Sequence, residues 1–233
     1  TTMILVEGAT LSSSNVALTM GGMGTITIGG GLSGVGGGFD AVTPFAYEEN
    51  HDGMATTTAI DSVGSLSDGN SILYAAPALE VGGATINITA GYTPEAGDAV
   101  TGEGAVSAQS AAYGSSKTLG VKLSVAGLTA GAFGEEVDND QANSGVTGSD
   151  ARDAMSATWF ANYSFGPVSV GYQVAGLDHG IDAAATAATT AKTIAAAGGM
   201  FESELMSIAF NVNENLSVSY GELTETYDAQ DGG

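Results

Sequence analysis

The sequence predicts an all-β fold, an antiparallel transmembrane β-barrel, and two observations carry that prediction. Apolar and polar residues alternate over strand-length segments, as in VSVGYQV at 168–174, which is the period of a strand with one apolar face. The connections between these segments are short and long in turn: the joint 126–127 precedes a loop at 137–150, and the joint 165–167 precedes a loop at 178–199. Short turns at one end and long loops at the other are typical of barrels of the outer membrane.

The first half of the chain contains five predicted strands. Three short alternating segments come first, separated by the Ser-rich stretch 12–14 and the Gly-rich stretch 20–24, both of which favour turns. After a long connection, NSILYAA and then ATINITAGYT continue the alternation. These strands are predicted at 3–10, 15–20, 24–30, 70–76 and 84–93.

The second half contains six predicted strands in three hairpins, closed by the joints AG (126–127), FGP (165–167) and NEN (213–215). These strands are predicted at 116–125, 128–136, 153–164, 167–177, 200–212 and 216–228. The total is about eleven, whereas single-chain bacterial barrels have even strand numbers. The odd count, a start inside a strand and the lack of a signal peptide predict that the single domain, 1–233, is incomplete at one or both ends.

The alternation also assigns strand residues to two faces, and a register slip of one residue would exchange them. The apolar set, predicted to face lipid or a neighbouring subunit, is Ile86, Ile88, Ala157, Trp159, Val168, Val170, Ile208 and Phe210. The polar set, predicted to face a lumen, is Asn87, Thr89, Lys122, Thr158, Asn162, Ser169 and Gln173.

Composition narrows the possible functions. The chain has 26 Asp and Glu residues against 4 Lys and Arg residues, a formal net charge of −22, so nucleic acid is excluded as a partner. It has no cysteine, which excludes a disulfide framework, a thiol nucleophile and zinc–thiolate sites. Two interpretations of the acidity stay open: a solvated acidic loop surface, and an acid-lined path for cations.

One connection is much longer than the others. Residues 31–69 separate two predicted strands, and a structureless loop of that length in a compact fold usually has a function. It contains no Lys or Arg, and its acids are Asp40, Glu48, Glu49, Asp52, Asp61 and Asp68.

In this region the chain resembles the general porins of proteobacteria. The segment MGTITIG at 23–29 is similar to their G-x-L-T-x-G strand, and NSILYAAPAL at 70–79 is similar to N-S-I-x-Y-x-S-P-x-F, which follows their long third loop. The resemblance implies a sixteen-stranded homotrimeric barrel in the Gram-negative outer membrane, in contact with its lipid. It also implies that the long connection, 31–69, folds into the lumen as a constriction loop.

The resemblance further implies roles for individual residues. The acids of the constriction would be Asp40, Glu48, Glu49, Asp52 and Asp61. The family often has an arginine just after G-x-L-T-x-G, on the wall opposite the loop, but glycines occupy positions 29–31 here. The remaining candidates for lumen bases are Lys122 and Arg152.

Other constellations are weaker. The stretch EENHD at 48–52 combines carboxylates with an imidazole, but its spacing in a loop specifies no metal or acid–base geometry. Asp138 and Asp140 are weak candidates for calcium ligands, because the glycine and glutamate of an EF-hand are missing. No catalytic set can be assembled from the sequence, so neither enzymatic activity nor a cofactor is expected.

The expected function is passive diffusion of small hydrophilic solutes and ions through a water-filled pore, with a bias toward cations. The alternative is a secreted acidic β-rich module of a surface layer or an adhesin. Dependence on detergent separates them, because only a membrane protein requires it. A membrane-embedded enzyme is a third and weaker possibility.

Overall fold

A computed structural model describes residues 14–30, 35–40, 42–46, 70–94, 113–139, 153–178 and 200–228. These residues form an all-β structure with eleven strands in one antiparallel sheet. The strands are β1 (Ser14–Thr19), β2 (Thr25–Gly30), β3 (Asn70–Ala75), β4 (Leu79–Val81), β5 (Ala84–Thr93), β6 (Tyr113–Val125), β7 (Leu128–Asn139), β8 (Ala154–Phe165), β9 (Val168–Asp178), β10 (Met200–Asn213) and β11 (Leu216–Asp228).

The sheet is a meander. Its order is β1-β2-β3-β5-β6-β7-β8-β9-β10-β11, with β4 paired to β5 beside this path. Since strands that neighbour each other in the sheet are antiparallel, the short connections after β1, β4, β6, β8 and β10 all lie at one end of the strands. The connections after β2, β5, β7 and β9 are the long ones and lie at the other end, so the predicted sorting of connections by length is confirmed.

Ten of the predicted strands correspond to strands of the structure, and the predicted strand 3–10 lies outside the described residues. The sequence analysis missed β4. Because Pro77 has no N–H, it interrupts what would otherwise be one strand. The partners Ala75↔Thr89 and Leu79↔Ile86 differ in register by one residue across this interruption. Three residues are too few to show an alternation.

The tight turns explain the hairpins. Gly82 and Gly83 have φ of 60° and 84°, and Ala126 and Gly127 have φ of 45° and 85°, which match the left-handed conformation that two-residue hairpin turns require. Ala126 is the only residue other than glycine with a positive φ among those described. The next hairpin, β8–β9, turns at Gly166, with φ of 57°, followed by Pro167.

The edges of the sheet are β1 and β11. In the described part of the chain each pairs on one side only, and no pairing joins one to the other. The only helical elements there are two single 3-10 turns, at Gly21–Met23 and Gly36–Gly38. No helix in the described ranges has both the length and the apolar character needed to cross a membrane.

The sheet has an apolar face and a polar face, defined by the pairing register. Cross-strand partners share a face: Trp159 pairs with Val174, whereas its neighbour Thr158 pairs with Ala175. The large side chains of the apolar face are mostly exposed, and a row of cross-strand partners, Tyr163, Val170, Ile208 and Tyr220, shows 46%, 36%, 45% and 67% exposure. All residues of the predicted apolar set share one face of the sheet, and all residues of the predicted polar set share the other face.

The core lies over the polar face and not between two sheets. Its buried members are Val35, Phe39, Phe133, Phe160 and Ala175. Val35 and Phe39 come from the connection between β2 and β3, and the other three come from β7, β8 and β9. The packed interior is therefore formed by the sheet and a piece of the long connection.

Candidate functional site

The candidate site is the polar face together with the part of the long connection that covers it, residues 35–40 and 42–46. We call these two pieces the covering segment. Short side chains and glycines dominate the middle of the polar face, for example Thr89, Gly120 and Ser207. Such residues leave room for a chain to approach the strands closely.

Phe39 anchors the covering segment. Its side chain is 2% exposed, and its ring centroid lies 5.6 Å from that of Phe133 and 6.1 Å from that of Phe160. It also lies over Gly120, where an added Cβ would come within 2.6 Å of its ring. One side chain thus contacts β6, β7 and β8 at once, and glycine at position 120 is what admits it.

Hydrogen bonds fix the rest of the covering segment to the same face. The side chain of Gln173 accepts from the backbone N–H of Val42 at 3.0 Å and donates to the backbone carbonyl of Phe39 at 2.6 Å. Asn162 donates to the carbonyl of Val42 at 2.7 Å. The N–H of Ala46 donates to Ser219 at 3.0 Å, so the segment extends from β6 as far as β11.

Lys122 lies on the polar face, where the sequence analysis placed it. Its ammonium donates to the backbone carbonyl of Gly38 and lies 4.7 Å from the centroid of the Phe39 ring. Both contacts suit a cation, because a carbonyl oxygen and an aromatic face each carry negative charge density. Lys122 therefore also tethers the covering segment.

A cavity of about 320 Å³ opens beside this tether. Its lining combines apolar and polar side chains. The apolar ones are Val35, Phe39 and Leu73, and the polar ones are Thr27, Asn87, Thr89 and Lys122. At about 30 Å³ per molecule, the space would hold roughly ten waters.

The structure describes only some of the predicted constriction acids. Asp40 is partly buried and directly follows Phe39 in the covering segment. Glu48, Glu49, Asp52, Asp61 and the predicted lumen base Arg152 lie outside the described residues. The structure therefore brings Asp40 and Lys122 to the same face of the sheet and does not describe the others.

Three further acids lie on the polar face and were not predicted from the sequence. Glu135 is 2% exposed and pairs with Thr118 and Ser156, and Glu225 pairs with Ser203. Glu80 accepts hydrogen bonds of 2.9 Å from Thr85. The alternation on β7 is a signal that places Glu135 on the same face as Phe133.

The candidate calcium ligands are only partly described. Asp140 lies outside the described residues, while Asp138 lies near Glu136 and Asp153, with ligand oxygens of all three within 4.8 Å of one another. Three carboxylates could supply part of the six to eight oxygens that Ca²⁺ takes. Glu136 also forms an exposed ion pair with Lys117 at 3.6 Å, and Ser115 donates to Asp138. The ammonium of Lys117 offsets part of the negative charge of these carboxylates.

Comparisons of the chain with protein-family models, with curated proteins and with solved structures each found no match. The resemblance to the porins therefore stays a hypothesis that rests on residues 23–29 and 70–79.

Proposed function

We propose that the chain belongs to an outer-membrane porin, a β-barrel that lets small hydrophilic solutes and ions diffuse through a water-filled pore, with a bias toward cations. In this proposal the apolar face contacts outer-membrane lipid or a neighbouring subunit of a homotrimer. The polar face lines the pore, and the connection 31–69 narrows it. Passive diffusion needs no cofactor and no catalytic residue.

The observation that carries the proposal is the distribution of side chains between the two faces. A sheet in water buries its apolar face and leaves its polar face exposed. Here the large apolar side chains are exposed across neighbouring strands, whereas the polar face holds Gln173 at 1% and Thr158 at 4% exposure. Contiguous exposed apolar surface of this kind favours contact with a membrane or a protein.

The apolar side chains of β10 form one continuous stretch that ends in acids. On β10 four successive residues of the apolar face, Met206, Ile208, Phe210 and Val212, cover roughly 20 Å along the strand. Acids follow on the same face toward the long connections, at Glu204 and Glu202. Outer-membrane barrels carry an apolar band of about 25 Å, so the change from apolar to acidic side chains suits one membrane boundary.

The charges of the polar face favour cations. In the described strands its charged side chains are Glu80, Glu135, Glu225 and Lys122, and the covering segment adds Asp40. Asp40, Glu80 and Glu225 are at least partly exposed, whereas Glu135 is buried. The three accessible acids outnumber the one base and would raise the local concentration of cations in a confined aqueous path. The acids that follow Asp40 in the same connection would strengthen this bias.

The proposal is tested in a planar bilayer. We expect discrete single-channel conductance and, across a KCl gradient, a reversal potential of the sign for cation selectivity. Replacing Glu48, Glu49 and Asp52 together with the neutral amides should move the reversal potential toward zero without loss of folding. A purified, folded protein that never conducts would contradict the pore, and full cation preference in the amide variant would place the selective acids elsewhere.

The alternative is a module of a secreted surface layer or adhesin. It predicts a protein that stays folded and monodisperse in buffer without detergent. The exposed apolar face argues against it, because such a face would associate in water.

A further inference from the structure

We propose that Gln173 is the positioning residue that holds the covering segment against the polar face, and that it does so by binding the segment's backbone. The contact geometry carries this inference by itself. Its consequence for the width of the pore rests on the proposed function.

The side-chain amide of Gln173 has a partner for each of its groups. Its Oε1 accepts from the N–H of Val42 at 3.0 Å, and its Nε2 donates to the carbonyl of Phe39 at 2.6 Å and to Thr158 Oγ1 at 3.2 Å. Because Gln173 is 1% exposed, water cannot replace these partners easily. The bonds therefore matter more here than they would on a surface.

The partners admit one orientation of the amide. Val42 offers a donor and Phe39 offers an acceptor, so exchanging Oε1 with Nε2 would set donor against donor and acceptor against acceptor. Thr158 supports this orientation, because its hydroxyl donates to the carbonyl of Val174 at 2.7 Å and so presents a lone pair to Gln173. Thr158 on β8 thus holds the amide of Gln173 on β9 in the orientation that the segment requires.

The neighbouring strand completes the grip. Asn162 donates to the carbonyl of Val42 at 2.7 Å. The carbonyl and the N–H of Val42 are therefore both bound by side chains of the sheet. Gly171 leaves the space that Asn162 and Pro44 occupy, since an added Cβ there would collide with both. The three bonds from Gln173 and Asn162 to the segment all go to its backbone atoms.

Removing the amide of Gln173 should have different effects if the residue positions the segment and if it only stabilises the sheet. If Gln173 positions the segment, removing its amide should release the segment and leave the ladder between β9 and β10 closed. If it only stabilises the sheet, amides of the strands should become less protected along with that of Val42. Residue-resolved hydrogen exchange separates the two.

The test compares Gln173→Leu, which keeps the approximate volume, with Ser169→Ala on the same strand and face. Ser169 bonds to Ser164 at 2.8 Å at the turn end and serves as the control. Exchange is followed by NMR in detergent micelles. In Gln173→Leu we expect the amide of Val42 to exchange about tenfold faster or more, the value for loss of buried hydrogen bonds. Strand amides should change less than about twofold, as should all amides in the control.

If Gln173→Leu does not fold, Asn162→Ala gives the second test, because it removes the partner of the Val42 carbonyl from a less buried site. Unchanged exchange at Val42 in a folded Gln173→Leu protein, or equal acceleration along β9 and β10, would overturn the inference. Conductance in a bilayer should rise or become noisier in Gln173→Leu. A wild-type protein that does not conduct would overturn the proposed function and leave the exchange result standing.

Discussion

Single residues decide how closely the covering segment approaches the sheet. At Gly120 an added Cβ would lie 2.6 Å from the ring of Phe39 and 2.8 Å from the side chain of Val35, distances that real Cβ atoms do not reach. Glycine at this position therefore leaves the space in the core that the phenyl ring of Phe39 fills.

We expect Gly120→Ala to lower the free energy of unfolding by about 1–3 kcal/mol, the usual cost of overpacking, because Phe39 and Val35 must move. Urea unfolding followed by fluorescence of Trp159, the only tryptophan of the chain, measures it. The matched control is Gly134→Ala on β7, where an added Cβ meets no atom within 4 Å. Equal effects at the two glycines would contradict the packing described at Gly120.

If the polar face lines a pore, as proposed, Lys122 is the base whose removal should change its ion selectivity. Its ammonium lies on the polar face near the carbonyl of Gly38, so we expect Lys122→Met to move the reversal potential further toward cation selectivity. Lys117→Met makes the same chemical change at a side chain that is 62% exposed and paired with Glu136. Its shift should be clearly smaller, and shifts of equal size would show that Lys122 does not face the path.

At the scale of the strand, the alternation assigns opposite environments to adjacent residues. On β10, Ile208 lies in the exposed row of the apolar face, and Asn211 lies on the polar face, where Ser217 donates to it at 2.7 Å. One strand therefore provides both a variant and its control for the membrane assignment.

If the apolar face contacts lipid, as proposed, we expect Ile208→Arg to impair folding into lipid vesicles by about 2–4 kcal/mol, the usual cost of an arginine in the middle of a lipid-facing band. Asn211→Arg should insert nearly as well as the wild type, because its side chain would extend into water. Protease protection in vesicles measures insertion. Normal insertion of both variants would argue that β10 does not face lipid.

At the scale of the whole molecule, the net charge of −22 means that ionic strength directly changes the electrostatic field of the protein. The Debye length is about 10 Å at 0.1 M salt and about 3 Å at 1 M, so charges across a water-filled path interact at the first concentration and hardly at the second. Added salt therefore weakens the effect of charges on the path and the effect of charges on distant loops alike. Variants are needed to separate the two contributions to ion selectivity.

We expect the difference in reversal potential between the wild type and the triple amide variant of Glu48, Glu49 and Asp52 to be large at 0.1 M KCl and to nearly vanish at 1 M. The comparison uses one activity ratio across the membrane at both concentrations. A difference that does not change with salt would indicate that the three substitutions alter the shape of the path and not its field.

The alternation of the strands, the sorting of short and long connections and the two faces could all be predicted from the sequence, because they follow from local periodicity. Trp159 and Thr158 could be assigned to opposite faces without coordinates, since a strand has a period of two. The three-residue strand β4 could not, because it is shorter than the pattern that reveals a strand.

Only the tertiary structure decided what covers the polar face. Phe39 and Val42 lie in a connection without periodicity, and their partners, Phe160 and Gln173, are more than 120 residues away in the sequence. Such contacts depend on how far the strands bring distant parts of the chain together and on which glycines leave space. The sequence by itself determined a sheet with one apolar and one polar face, whereas the position of the covering segment, held by Gln173 and Asn162, follows from long-range packing that no local pattern records.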